Sequence, residues 1–265
     1  MNLSSSLYPS PTHSDPLLLI HGMGSAATAW KPIIPQLNEF FTVITIDLPG
    51  HGHTPMSHDQ PMDPKALAIA VFETMNELGF DRFDVVGNSL GGWIALEMAA
   101  MKKAAIKSVT GLAPAGLWLE PFTARYPGTA ISRMLASSLK VVSPLLIHYE
   151  WARKIGFESV SPLWKNFTYE LCKDASEAMG KSVGYYPAWD ALLKKKFDSV
   201  VDPSIPVTVI FGDSDNTLPA ATCQERSLAP AHTRWIVLPE SGHAPMWDHP
   251  DEVVREILRT TGKNL

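Results

Sequence analysis

Serine, aspartate and histidine, which together can perform nucleophilic acyl transfer, occur in that order in this chain, each just beyond a strand-like run. Ser89 lies in Gly87-Asn88-Ser89-Leu90-Gly91. Phe83-Asp84-Val85-Val86 precedes this stretch and Gly92-Trp93-Ile94-Ala95-Leu96 follows it, so the serine sits between a strand and a helix. Gly87 and Gly91 lack a Cβ, which lets strand and helix approach closely and leaves the serine at the apex of a tight turn. Phe211-Gly212-Asp213-Ser214-Asp215 presents two carboxylates after a later run. Either can orient a histidine, and either can instead serve a turn or a helix cap. His243 stands in Ser241-Gly242-His243-Ala244-Pro245, after the last run. A serine hydroxyl needs a base to take its proton, and the base needs a group behind it to hold its tautomer. His21-Gly22-Met23-Gly24-Ser25 is built of residues small enough to turn backbone N–H groups toward a developing oxyanion.

The elements that must position these residues alternate in type. Strands are predicted at 17–21, 43–47, 83–88, 106–112, 207–211 and 234–238. Their apolar runs are continuous rather than alternating, as in parallel strands buried on both faces. Helices are predicted at 27–37, 63–78 and 90–101, with a last one starting near Asp248 as N-cap and Asp251 three residues on. The pattern is α/β, a doubly wound, mostly parallel sheet. Residues 114–198 break the rhythm: the segment reads helical, is punctuated by Pro121, Pro127, Pro144, Pro162 and Pro187, and is rich in aromatics, Tyr126 among them. It reads as a cap between two parts of one core, 1–113 and 199–265. It follows the C-terminal end of the fourth predicted strand, the side on which open α/β sheets bind ligands. Most of its aromatics are expected to pack the cap itself, and Trp118, Tyr149, Trp151 and Trp164 to form an apolar substrate wall above Ser89.

Composition narrows the class. The chain has 265 residues, is 45% hydrophobic and 18% charged, and carries a formal net charge of −5. That suits one large domain with an insertion and gives no general attraction for nucleic acid or an anionic membrane. Lys194-Lys195-Lys196 reads as a solvated helix face. Cys172 and Cys223 make neither a metal spacing nor a disulfide framework. The first residues show neither a basic nor an apolar signal region, so a cytoplasmic enzyme is expected. Asp47, His51 and His53, with His58 nearby, suit a metal by residue type, but Pro49, Gly50 and Gly52 favour a structured turn, and no metal is expected.

Taken together, these motifs resemble the α/β-hydrolase superfamily, in its branch of compact serine esterases with a helical cap. The resemblance rests on His21-Gly22-Met23-Gly24, Asp47-Leu48-Pro49-Gly50-His51-Gly52, Gly87-Asn88-Ser89-Leu90-Gly91-Gly92, Gly212 with Asp215, and Gly242-His243. It implies Ser89 as nucleophile, His243 as base, and Asp215 rather than Asp213 as the acid. It implies Met23 and Leu90 as oxyanion-hole donors, a small-molecule carboxylic ester of short or medium acyl chain as substrate, and no metal or organic cofactor. Serine at the elbow sets the chain apart from dehalogenases and epoxide hydrolases of the fold, which use aspartate. Asn88 keeps a meta-cleavage-type C–C hydrolase as an alternative, although Ser25 and Ala244 depart from that group's Gly-Pro-Gly loop and post-histidine Trp. Lactone hydrolysis and a non-catalytic binding protein also stay open. Only sixteen residues precede Leu17, with Pro9, Pro11 and Pro16 among them, so the antiparallel hairpin usual at this edge is expected to be trimmed.

Overall fold

Leu17 and Leu19 point to one side of the sheet, and Leu18 and Ile20 to the other, and all four are fully buried. Each such side chain contributes about 1.5–3 kcal/mol by leaving water, so a strand covered on both faces needs an unbroken apolar run. The computed structural model describes residues 2–57, 59–102, 104–125 and 146–263. His58, Tyr126, Pro127 and Pro144 lie outside the described residues, as does the part of the expected cap at 126–145.

The strands are β1 (Ser5–Tyr8), β2 (Pro16–Ile20), β3 (Thr42–Ile46), β4 (Phe83–Asn88), β5 (Ile106–Leu112), β6 (Val207–Gly212) and β7 (Arg234–Leu238). They form one sheet in the order β1-β3-β2-β4-β5-β6-β7. Every pairing is parallel except β1 with β3, where Ser5 faces Ile46 and Tyr8 faces Val43. The edge is trimmed to that single antiparallel strand, which ends at Tyr8 against Pro9. The chain crosses over between β2 and β4, so the loops after these two strands flank the crevice where such sheets place ligands.

The helices are α1 (Ile34–Leu37), α2 (Pro64–Glu77), α3 (Leu90–Met101), α4 (Glu150–Phe157), α5 (Tyr169–Lys181), α6 (Tyr185–Leu192), α7 (Ala220–Cys223), α8 (Pro245–Asp248) and α9 (Pro250–Thr260). On one sheet face lie α2 and α3, packing Leu67, Val71, Leu96 and Met98 onto Leu18, Ile44, Val85 and Val109. On the other lies α9, whose Val253, Val254, Ile257 and Leu258 form a stripe against Val86, Leu112 and Ile210. Asp63 caps α2 by accepting the Ala66 N–H, with Pro64 at the first helical position.

Three sequence expectations change. The single helix at 27–37 is a 3₁₀ turn at Ala27–Trp30 followed by α1, because Pro32 and Pro35 cannot donate to a continuous helix. Asp248 is not the N-cap of the last helix: it ends α8, and His249 stands at the N-cap of α9 without a side-chain hydrogen bond. Lys194, Lys195 and Lys196 follow α6 in a turn rather than on a helix face, with Lys194 at φ 61°. Between β5 and β6 the described residues carry α4, α5 and α6. These touch the core at the loops after β2, β3 and β7, all at the C-terminal edge of the sheet.

Candidate active site

The turn after β4 holds Ser89 at φ 54° and ψ −116°, a backbone conformation costly for any residue with a side chain. Its surroundings enforce that conformation. Ser89 N–H donates to Leu112 O at 2.9 Å, and Ser89 O accepts from Ala115 N–H at 2.9 Å and Trp93 N–H at 3.2 Å. A Cβ on Gly87 would overlap the Gly91 carbonyl, and one on Gly91 would overlap the Ile20 carbonyl. Strand, elbow and helix therefore meet at backbone distance, and only glycine fits at both positions.

Beside the elbow, His21-Gly22-Met23-Gly24 leaves the end of β2. A Cβ on Gly22 would lie 3.0 Å from Ser89 Cβ, so the two loops share one wall. Leu90 opens α3, and a first-turn N–H has no intrahelical acceptor. The loop of Met23 is braced from below. His21 Nδ1–H donates to Gly22 O at 2.7 Å, and His21 Nε2 accepts Leu48 N–H at 3.0 Å, which fixes a neutral tautomer. Full burial lowers its pKa, against the opposing pull of the Gly22 carbonyl and of Asp47. Asp47 Oδ1 accepts Ala27 N–H at 2.7 Å, and its Oδ2 accepts His53 N–H at 2.9 Å. The carboxylate thus joins the loops after β2 and β3.

Of the two carboxylates after β6, Asp215 meets the histidine. His243 Nδ1–H donates to Asp215 Oδ2 at 2.9 Å. Asp215 Oδ1 accepts the N–H groups of Thr217 and Leu218, each at 2.8 Å. Burial raises the Asp215 carboxyl, but the His243 imidazole and these two N–H groups outweigh it and hold the carboxyl below its ordinary value. Asp213 is exposed and accepts from Ser214 Oγ. The two loops are stitched together: a Cβ on Gly212 would overlap the Ser241 carbonyl, which also accepts Ser214 N–H at 2.9 Å.

Asn88 links this pair to the elbow. Its Nδ2 donates to Leu112 O at 3.1 Å and to His243 O at 3.0 Å. Ser89, His243 and Asp215 are thereby gathered at one end of the sheet. Among the described residues no hydrogen bond joins Ser89 Oγ to the His243 ring.

The four aromatics expected as a substrate wall fall into two groups. Trp118 is 2% exposed, stands edge-on to Trp93 and donates its indole N–H to Lys195 O. Trp164 is buried with Phe157, Phe167 and Cys172 in the insertion's own cluster. Both pack the protein's interior. Tyr149 and Trp151 are 58% and 56% exposed and stack on each other. The residues lying over the loop of Met23 are instead Met179 and Tyr185, whose side-chain atoms come within 2.7 and 3.0 Å of where a Gly24 Cβ would be. Sequence patterning missed these two because every aromatic or Met in an amphipathic helix looks equally available. The two hydrogen bonds of Asn88 to the neighbouring loops were also missed, although it stands next to Ser89.

With this geometry in hand, known proteins give the context. The sequence profile of the alpha/beta hydrolase family matches residues 17–256. A pimeloyl-[acyl-carrier protein] methyl ester esterase of Legionella pneumophila is 24% identical over 246 residues, 89% of this chain and 90% of that protein. A thermophilic esterase from Thermogutta terrifontis superposes with a TM-score of 0.71 at 20% identity, covering 98% of this chain and 93% of its own. A meta-cleavage product hydrolase from Pseudomonas fluorescens superposes with a TM-score of 0.71 at 17% identity, covering 98% and 94%. No described helix is long and apolar enough to cross a membrane. The match over residues 17–256, on a mostly parallel sheet with a strained serine turn at its edge, places this chain in the alpha/beta hydrolase family.

Proposed function

We propose that this protein is a serine hydrolase of small carboxylic esters that works through an acyl-enzyme. The observation that carries the reading is the 2.9 Å hydrogen bond from His243 to Asp215, held beside the Ser89 elbow by Asn88. Ser89 Oγ attacks the acyl carbonyl while His243 Nε2 takes its proton, and Asp215 keeps the other ring nitrogen protonated and faces the imidazolium that forms. The N–H groups of Met23 and Leu90 receive the tetrahedral oxyanion. His243 then hands the proton to the departing alcohol. In the second half a water gives a proton to His243 as it attacks the acyl-enzyme, and His243 returns that proton to Ser89 Oγ as the acid departs. The Ser89–His243 hydrogen bond that this step needs forms when substrate fills the site. The chemistry calls for no metal, organic cofactor, nucleic acid or membrane.

The methyl ester esterase relatives favour a small alcohol on the ester. Met179 and Tyr185 above the loop of Met23 favour a short apolar acyl pocket. Asn88, the residue that suggested C–C bond hydrolysis, has a structural task in its two hydrogen bonds, so its presence no longer argues for that chemistry. The test is turnover of a panel of methyl and p-nitrophenyl esters from acetate to laurate, with lactones and vinylogous diketones alongside. Ester cleavage that peaks at short or medium acyl length, without C–C cleavage, is expected. Diketone cleavage without ester turnover would overturn the reading, as would saturable binding with no turnover.

A further inference from the structure

The cap and the histidine loop are joined by one half-buried carboxylate. Asp248 Oδ2 accepts Gly242 N–H at 2.7 Å and Ser241 Oγ at 3.4 Å, and Asp248 Oδ1 accepts the hydroxyl of Ser161 in the cap. Ser161 is 1% exposed, and its Oγ also accepts Leu163 N–H at 2.9 Å, which fixes the hydroxyl. One residue earlier in the cap, Val160 O accepts the His243 N–H at 2.8 Å. A Cβ on Gly242 would overlap Val160 O and lie 2.8 Å from Ser161 Cα, so the cap turn lies flat on the residue before the histidine. Burial raises the Asp248 carboxyl, and the donors from Gly242 and Ser161 oppose it. A carboxylate half-buried against that cost, and not used to cap α9, calls for another role.

We propose that Asp248 is a positioning residue for His243: it locks the histidine loop to the cap turn at Val160 and Ser161, so that cap docking and imidazole orientation are one event. This rests on His243 being the base. The histidine loop has four handles: Gly242 N–H on Asp248, His243 N–H on Val160, His243 O on Asn88, and the His243 ring on Asp215. The first two belong to the cap junction. Losing Asp248 strands the Gly242 N–H and the Ser161 hydroxyl in a buried place, and the loop must move to rehydrate them. A displacement of an ångström at the reacting groups costs on the order of a hundredfold in rate.

The experiment compares wild type, Asp248→Ala, Ser161→Ala and the double variant. It reads kcat and KM on a p-nitrophenyl ester, and the low-field proton resonance of the His243 Nδ1–H bound to Asp215. Expected for Asp248→Ala is a kcat lower by roughly tenfold to a hundredfold with KM within about twofold, and a shifted or broadened resonance. The double variant should be no worse than Asp248→Ala, because both changes break one junction. A lowered Tm with kcat and resonance unchanged would overturn the proposal and leave Asp248 as packing. Should Asp248→Ala fail to fold, Ser161→Ala decides by the same readouts: a severalfold fall in kcat supports the lock, and wild-type values overturn it. Should wild type cleave no ester, the esterase reading fails on its own, and the resonance still judges Asp248.

Discussion

At the sheet edge a methyl group cannot be added to Gly87, Gly91 or Gly212 without overlapping backbone, whereas Gly156 in α4 has no atom within 4 Å of where its Cβ would sit. The same contrast runs through the side chains. Ser89, Asp215 and His243 are each held by backbone hydrogen bonds from neighbouring loops, and the Asp215 side chain is fully buried. At the start of α4, Tyr149 and Trp151 face outward and stack on each other. Around the site, residue type is dictated by close backbone approach and by a fixed hydrogen-bond partner. In the insertion, residue type is dictated mainly by which helix face is covered, and many types satisfy that.

Six substitutions test this contrast. Ser89→Ala has the largest expected effect, a loss of about a millionfold in kcat with the fold retained, since nucleophile and base act as a unit. A serine-directed organophosphate should label Ser89 alone, and labelling of another serine with loss of activity would move the nucleophile.

Asp215→Asn should lower kcat by up to about ten-thousandfold, against little for Asp213→Asn. Steady-state rates of the two variants settle the pair, and a more damaging Asp213→Asn would shift the acid. The same substitution carries a pH signature. The Asp215 carboxyl is held below its ordinary 3.8, so the stability it contributes is complete above about pH 4 and is lost as pH falls through the depressed folded value. The Tm gap between wild type and Asp215→Asn should therefore close in that acid window.

Trp118→Ala should cost about 3–5 kcal/mol in stability, as removal of a buried tryptophan does, and leave the acyl-length profile of kcat/KM unchanged. Met179→Ala should do the reverse, shifting that profile with a smaller change in denaturation midpoint. A changed profile in Trp118→Ala would return that residue to the pocket wall.

Gly156→Ala in exposed α4 should stabilise by about 0.5–1 kcal/mol, the ordinary gain in helix propensity, with kcat untouched. Chemical denaturation reads it, and a loss instead of a gain would mean that this face of α4 is covered.

Much of the fold was legible in the chain because its cause is local. Strands β2 to β6 are legible as largely apolar runs because they are buried at nearly every position, and β7, at the sheet edge, is half-exposed but keeps the apolar run Trp235 to Leu238. The elbow is legible because Gly87 and Gly91 flank Ser89 at the spacing that a strand-to-helix turn demands. The helix at 27–37 was misjudged because its apolar spacing outweighed Pro32 and Pro35, although the prolines are themselves a local signal.

Other features depend on which loops the sheet brings side by side. Asp213 and Asp215 are equivalent by residue type, and what separates them in space is the seating of Gly212 against Ser241, which turns Asp215 to His243 and leaves Asp213 in solvent. Asp248 looks like a helix cap in the chain and becomes a junction because Ser161, 87 residues away, arrives at its other oxygen. Trp118 and Tyr185 are both apolar-bodied aromatics of the insertion, and their spacing says nothing of which one lies over the loop of Met23. Hydrophobic periodicity reports that a face is buried. What it is buried against depends on contacts between residues far apart in sequence, and those exist only once the chain has closed on itself.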